Sequence, residues 1–206
     1  LHTLDPAFRH CFQSAKALSF QSYTSCGVGF FQEGFMPKVE KNEAPAHTAI
    51  TRETLIKNLN EDLAREYQAI IAYVVYSQVL KGAAYMNIAD QLTEHAGQEL
   101  QHALTLSKQI DYLGGTPTVQ PKAVKVTDKN EEMLRADLAN ETETIRNYRE
   151  RVRQCESIGE FAMAELIREI LVQEQDHLID LATALGIDPP RTDDKALAAK
   201  EVTVSR

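Results

Sequence analysis

Six residues of this chain have types and spacings that could do chemistry together: Glu66, Glu99, His102, Glu141, Glu174 and His177. His102 follows Glu99 by three residues and His177 follows Glu174 by three. On a helix, that spacing puts both side chains on one face. Glu66 lies 33 residues before Glu99, and Glu141 lies 33 before Glu174. A second interval of 75 residues separates Glu66 from Glu141, Glu99 from Glu174, His102 from His177 and Tyr73 from Tyr148. One ligand-bearing unit is therefore present twice. A single Glu-x-x-His pair is usually a solvated surface pair; two of them, each preceded by a further Glu at the same distance, need another explanation. Four carboxylates gathered in an interior are unfavourable alone, because each buried charge costs on the order of several kcal/mol and like charges raise one another's pKa. Two divalent cations would cancel the four charges, with two neutral imidazoles completing the set. Mixed carboxylate and imidazole donors suit iron or manganese better than calcium, which prefers oxygen.

The elements that must position these residues are helices. Apolar residues recur in alternating steps of three and four, the period of a helix with one core-facing stripe. The first helix is expected over about 52–81, with Thr51 as N-cap and Gly82 as stop. The second runs over about 86–113 and ends at Gly114-Gly115. The third begins after Thr127/Asp128, where Asp128 and Glu131 have capping-box spacing. The fourth covers about 160–185 and is closed by Gly186. All six candidate ligands fall on the apolar stripes, where a core residue belongs. Tyr73 and Tyr148 lie on the same stripes and are expected to bond the ligand carboxylates, with Tyr73 also a candidate electron donor. His95 reads as a core-edge histidine, Cys155 as a small buried hydrophobe, and Gly97 as a point of close helix approach.

The connections set the topology. The first and third loops are short, so each joins an antiparallel hairpin. The middle connection, about 114–128, holds Pro117 and Pro121. Fifteen extended residues reach about 50 Å, and a 28-residue helix is about 42 Å long. The connection can run the full length of the bundle and leave the second and third helices parallel. The expected fold is all-α: a four-helix bundle with one long crossover, the ferritin-like arrangement, with an internal two-fold repeat of helix hairpins over residues 51–186.

Composition narrows the function. The 206 residues include 22 Lys+Arg and 30 Asp+Glu, a net charge of -8. An acidic chain without a basic run is a poor partner for nucleic acid, whose binding depends on neutralising phosphates. The three cysteines, Cys11, Cys26 and Cys155, form no C-x-x-C and argue against a disulfide scaffold or a cysteine-ligated metal. That usage fits a reducing, cytoplasmic setting. No apolar run approaches the roughly 18 residues of a membrane span. Residues 1–50 read as an N-terminal extension. Within it, Gln32-Glu33-Gly34 matches a translated purine-rich ribosome-binding sequence two codons ahead of Met36. Residues 1–35 are therefore expected to be a gene-model artefact, with Met36 the natural start. Residues 187–206 form a tail with a candidate short helix at 193–202.

At these residues the chain resembles the bacterioferritins, over about 55–186. Leu59-Asn60-Glu61-Asp62-Leu63 with Glu66 and Tyr73 is similar to the first helix of that family, Glu131 to Leu138 before Glu141 to the third, and Ile170-Leu171 before Glu174-Gln175-Asp176-His177 to the fourth. The resemblance implies two iron ions per subunit, with manganese or zinc as substitutes. Glu66 and His102 would be terminal ligands of one iron, Glu141 and His177 of the other, and Glu99 and Glu174 would bridge them. It implies a ferroxidase that oxidises Fe(II) with dioxygen or hydrogen peroxide for storage or detoxification, in a homo-oligomeric shell of 12 or 24 subunits. Three departures stand out. The family's haem-ligating Met corresponds to Leu100, so no haem is expected. The family's fifth helix is not evident, because Pro189-Pro190 interrupt the chain before 193–202. Glu94 and Gln98 replace the family's inner-surface metal residues. Two rival readings are a di-iron or di-manganese peroxidase or oxidase without mineral storage, and a DNA-protecting shell like that of the starved-cell DNA-protection proteins.

Overall fold

The computed structural model describes residues 50–193, all within one of the chain's two compact units, Pro45–Arg206. Residues 1–49, with the expected start at Met36, lie outside the described residues, as does all but the first residue of the candidate helix at 193–202.

Four long helices carry the structure: α1 (Arg52–Val79), α2 (Met86–Tyr112), α3 (Asn130–Ser157) and α4 (Phe161–Ala184). A single 3-10 turn, Ala83–Tyr85, leads into α2. Among the described residues there is no strand. Thr51 caps α1 as its spacing predicts, its hydroxyl accepting from the Thr54 amide at 3.2 Å. Gly82 ends the first hairpin arm with φ +105°, a conformation open to glycine and strained for other residues.

The start of α3 departs from expectation. Lys129 is the N-cap and makes no side-chain cap bond, so the Asp128–Glu131 capping box does not form. Tertiary and local partners engage the residues at this helix start instead. The Asn130 amide donates to the Lys81 carbonyl at 2.6 Å, tying α3 to the end of α1. Glu131 accepts from Arg135 one turn on.

The crossover follows α1 from one end to the other. Thr118 donates its amide to Asn60 Oδ1 at 2.6 Å, Lys122 donates to the Ala64 carbonyl at 2.9 Å, Gln68 donates to the Ala123 carbonyl at 2.6 Å, and Tyr76 donates to the Lys125 carbonyl. These ties supply partners to a backbone without secondary structure. They also carry the chain to the C-terminal end of α1, so α3 starts there and runs antiparallel to α1. Since α2 is also antiparallel to α1, α2 and α3 are parallel. This is the ferritin-like bundle that the loop lengths predict.

The core has two apolar halves. One is built around Leu55, Leu59, Leu63, Leu106, Ile110, Val152 and Ile167. The other is built around Leu92, Leu134, Leu138, Ile145, Leu178 and Leu181. The 75-residue interval relates much of one half to the other, as Leu59 to Leu134, Leu63 to Leu138 and Leu106 to Leu181, and the carboxylates and imidazoles lie between them.

Candidate metal centre

Each helix contributes inward-facing ligands to the layer between the apolar halves: Glu66 from α1, Glu99 and His102 from α2, Glu141 from α3, Glu174 and His177 from α4. None of the six is more than 3% exposed. They form two groups in which one donor atom per residue lies within 4.8 Å of all the others: Glu66, Glu99, His102 and Glu174, and Glu99, Glu141, Glu174 and His177. Glu99 and Glu174 belong to both. Glu99 turns Oε2 to His102 Nδ1 at 3.0 Å and Oε1 to His177 Nδ1 at 2.9 Å. Glu174 turns Oε1 to His102 Nδ1 at 3.1 Å and Oε2 to His177 Nδ1 at 3.4 Å. Each of these carboxylates thus spans the two groups with separate oxygens.

The donor set fits a pair of divalent cations. Glu66 Oε2, Glu99 Oε1, both oxygens of Glu174 and His177 Nδ1 are buried without a hydrogen-bond partner among the described residues. Buried polar atoms are normally paired, so a cluster of unpaired acceptors converging on one space calls for positive charge. Without a metal, protons would have to supply it. Burial pushes Glu99 well above the ordinary carboxylate range, and the charges of Glu174 and Glu66 push it further. Burial raises Glu141 likewise, with Glu174 and Glu99 adding to it. For His102, burial disfavours the imidazolium, but Glu174, Glu66 and Glu99 outweigh that and hold its pKa above normal.

Glu66 Oε1 and Glu141 Oε1 are each anchored from the opposite helix hairpin. The Tyr148 hydroxyl of α3 donates to Glu66 Oε1 on α1, and the Tyr73 hydroxyl of α1 donates to Glu141 Oε1 on α3. Tyr73 and Tyr148 are both fully buried, and burial first, then the neighbouring carboxylates, raise both phenols well above their usual pKa.

The site is approached from two sides. Between α1 and α3 there is a gap of about 10 Å³ lined by Arg65, Glu66, Glu99, Glu141 and Glu174 among others; the Arg65 guanidinium beside it donates to Glu143 at 2.6 Å. Between α2 and α4 a cavity of about 300 Å³ is lined by His95, Gln98, Gln173, Asp176, His177 and Asp180. His95 sits beside the cluster rather than in either ligand group. Its ring stacks on His177 with centroids 4.0 Å apart, and Nε2 lies 3.2 Å from Asp180 Oδ2. Burial pushes its pKa down to about 3. Leu100 is 49% exposed on the surface of α2.

Several residues that support the site are not evident from the apolar stripes. Arg151 donates to Asp62 Oδ2 at 2.6 Å in a buried ion pair. Asp137, 2% exposed, is buried without such a partner. Gln98 and Gln173 bond the outer nitrogens of the two histidines. The 75-residue interval links Asp62 to Asp137 and Gln98 to Gln173, so the repeat that locates the ligands also marks these.

A four-helix bundle with one long crossover, holding paired Glu and Glu-x-x-His sets in its core, defines the ferritin-like carboxylate class. The chain belongs to the ferritin-like domain family, which matches residues 56–188. It is similar to a bacterioferritin of Brucella melitensis, 28% identical over 134 residues covering 65% of this chain and 83% of that one. It is also similar to a bacterioferritin of Desulfovibrio desulfuricans, 30% identical over 125 residues covering 60% and 70%. Among solved structures, a ferritin-like diiron-carboxylate protein from Bacillus anthracis superposes with a TM-score of 0.63 at 33% identity, over 65% of this chain and 96% of that chain.

Proposed function

We propose that this chain is a cytoplasmic ferroxidase that oxidises Fe(II) at a di-iron centre inside each subunit, and that copies of it assemble into a shell that holds the ferric product. The observation that carries the reading is the pair of four-residue donor groups sharing Glu99 and Glu174. Glu66 with His102, and Glu141 with His177, would be the terminal ligands, and Glu99 and Glu174 the bridges. Iron bound as a pair would supply the electrons that reduce dioxygen or hydrogen peroxide.

The chain's own contribution is geometry and dryness. Two apolar halves of the core flank the donor layer and exclude bulk water. Tyr73 and Tyr148 hold one oxygen of Glu141 and of Glu66, which leaves the second oxygen of each for a cation. The shared carboxylates have both oxygens turned inward, so they can shift between modes as charge changes at the site. Manganese and zinc are chemically compatible with the same donors.

The test is aerobic Fe(II) oxidation by purified protein, followed by the rise in ferric absorbance. Glu99→Ala and His102→Ala should each abolish the rapid phase while far-ultraviolet circular dichroism remains helical. Unchanged oxidation rates in both variants would refute the assignment.

A further inference from the structure

We propose that Gln98 and Gln173 are positioning residues that set the tautomer of the two site histidines by a crossed exchange between α2 and α4; the proposal rests on the metal reading of the cluster. Gln173 on α4 places Oε1 2.6 Å from His102 Nε2 on α2. Gln98 on α2 places Oε1 2.6 Å from His177 Nε2 on α4. An amide oxygen only accepts, so each Nε2 is held protonated, which leaves Nδ1 as the one ring nitrogen able to offer its lone pair to a cation. That lone pair is on the side of the carboxylates, where His102 Nδ1 lies 3.0 Å from Glu99 and 3.1 Å from Glu174.

The two glutamines are 75 residues apart, the interval that relates the ligands themselves. Gln98 and His102 are four apart on one helix, as are Gln173 and His177. That spacing would allow each glutamine to reach its own helix's histidine. Both instead bond the histidine of the opposite helix. The pairing therefore ties the imidazole orientation to the docking of α2 on α4, and each ring is aimed before a cation arrives. The acceptors are also neutral.

Outer partners of this kind are typically worth about 10- to 100-fold in metal affinity. The probes are Co(II), titrated by its visible absorption, and Zn(II), added to protein labelled with ¹⁵N at the imidazoles. Gln98→Leu and Gln173→Leu should each weaken Co(II) binding by about 10- to 100-fold, and Gln98→Glu and Gln173→Glu, which keep the acceptor oxygen, should recover most of it. In the zinc-loaded protein both histidines should show metal at Nδ1 and a slowly exchanging Nε2 proton. Gln98→Leu should lose the protected proton of His177 and spare that of His102; Gln173→Leu should do the reverse. Undiminished Co(II) binding in both Leu variants, loss of protection on the same helix as the substitution, or metal at Nε2 would each overturn the proposal. Failure of the unaltered protein to bind Co(II) would instead overturn the reading of the cluster as a metal site, and this proposal with it.

Discussion

Asp137 is 2% exposed and its Oδ2 has no hydrogen-bond partner among the described residues. Its repeat counterpart, Asp62, is bound by Arg151, whereas the residue 75 before Arg151 is Tyr76, whose hydroxyl goes to the Lys125 carbonyl instead. Burial therefore pushes the Asp137 pKa well above its ordinary 3.8. The folded state then binds a proton that the unfolded state has released, so stability falls as pH rises from the unfolded pKa toward the folded one. Across that window the loss approaches about 1.4 kcal/mol per pH unit for one proton. Asp137→Asn removes it. Urea unfolding of the metal-free protein should give wild type and variant similar stability near pH 4, with the variant increasingly the more stable as pH rises from there. The tyrosines make a second residue-scale case. Tyr73→Phe and Tyr148→Phe delete equivalent donors to Glu141 and Glu66, so both should weaken Co(II) binding similarly. A loss of oxidation rate confined to Tyr73→Phe would mark that phenol as an electron donor in addition.

At the scale of the elements, the buried ion pair of Asp62 on α1 with Arg151 on α3 is a sensitive contact. Arg151→Met leaves Asp62 buried without its cation and should cost about 3–5 kcal/mol, whereas the double change Asp62→Leu with Arg151→Met should recover most of that loss. Chemical denaturation of the three proteins checks it. Two glycines should respond in opposite directions. A Cβ at Gly97 would meet nothing within 4 Å, so the expected close helix approach is not what this residue provides; Gly97→Ala should stabilise α2 by up to about 1 kcal/mol. A Cβ at Gly115 would lie 2.5 Å from an Ile56 methyl and 3.1 Å from an Ile110 methyl. Gly115→Ala should therefore destabilise by about 1–3 kcal/mol through overpacking. Helix positions were legible from periodicity because a three-four stripe of Leu and Ile has one low-energy reading. The cap of α3 was not. Asp128 and Glu131 have the right spacing, but spacing carries no information about Asn130 reaching Lys81 in the loop after α1.

At the scale of the whole molecule, the outer face of the C-terminal half of α1 is apolar. Ile71, Val74 and Val75 are 42–53% exposed, and Val119 and Val126 of the crossover are 79% and 94% exposed. Ile71 and Val119 line one surface cavity, and Val75, Val79 and Val126 line another. Exposed apolar area of this kind marks association surfaces, which suits the proposed shell. Replacing Val74 and Val119 with Lys should shift the protein to smaller species in analytical ultracentrifugation while leaving its helicity intact. Aerobic Fe(II) loading followed by desalting measures the store itself. Tens or more of irons retained per subunit are expected of a closed shell, whereas retention of about two, the capacity of the donor set, would indicate a centre that acts without a store.

The sequence by itself determined the four helices, the long crossover, the internal repeat and the convergence of six donors on one layer. Each of these follows from regular spacing along a chain: three and four for a helix face, 33 for the hairpin, 75 for the repeat. Tertiary structure alone decided the partnerships across helices. Tyr73 shares its helix face with Glu66 yet serves Glu141, and Gln98 shares its helix with His102 yet serves His177. Spacing relates residues only along one axis. Which group meets which across a bundle depends on the rotation and offset of neighbouring helices, and those are set by the packing of all four at once.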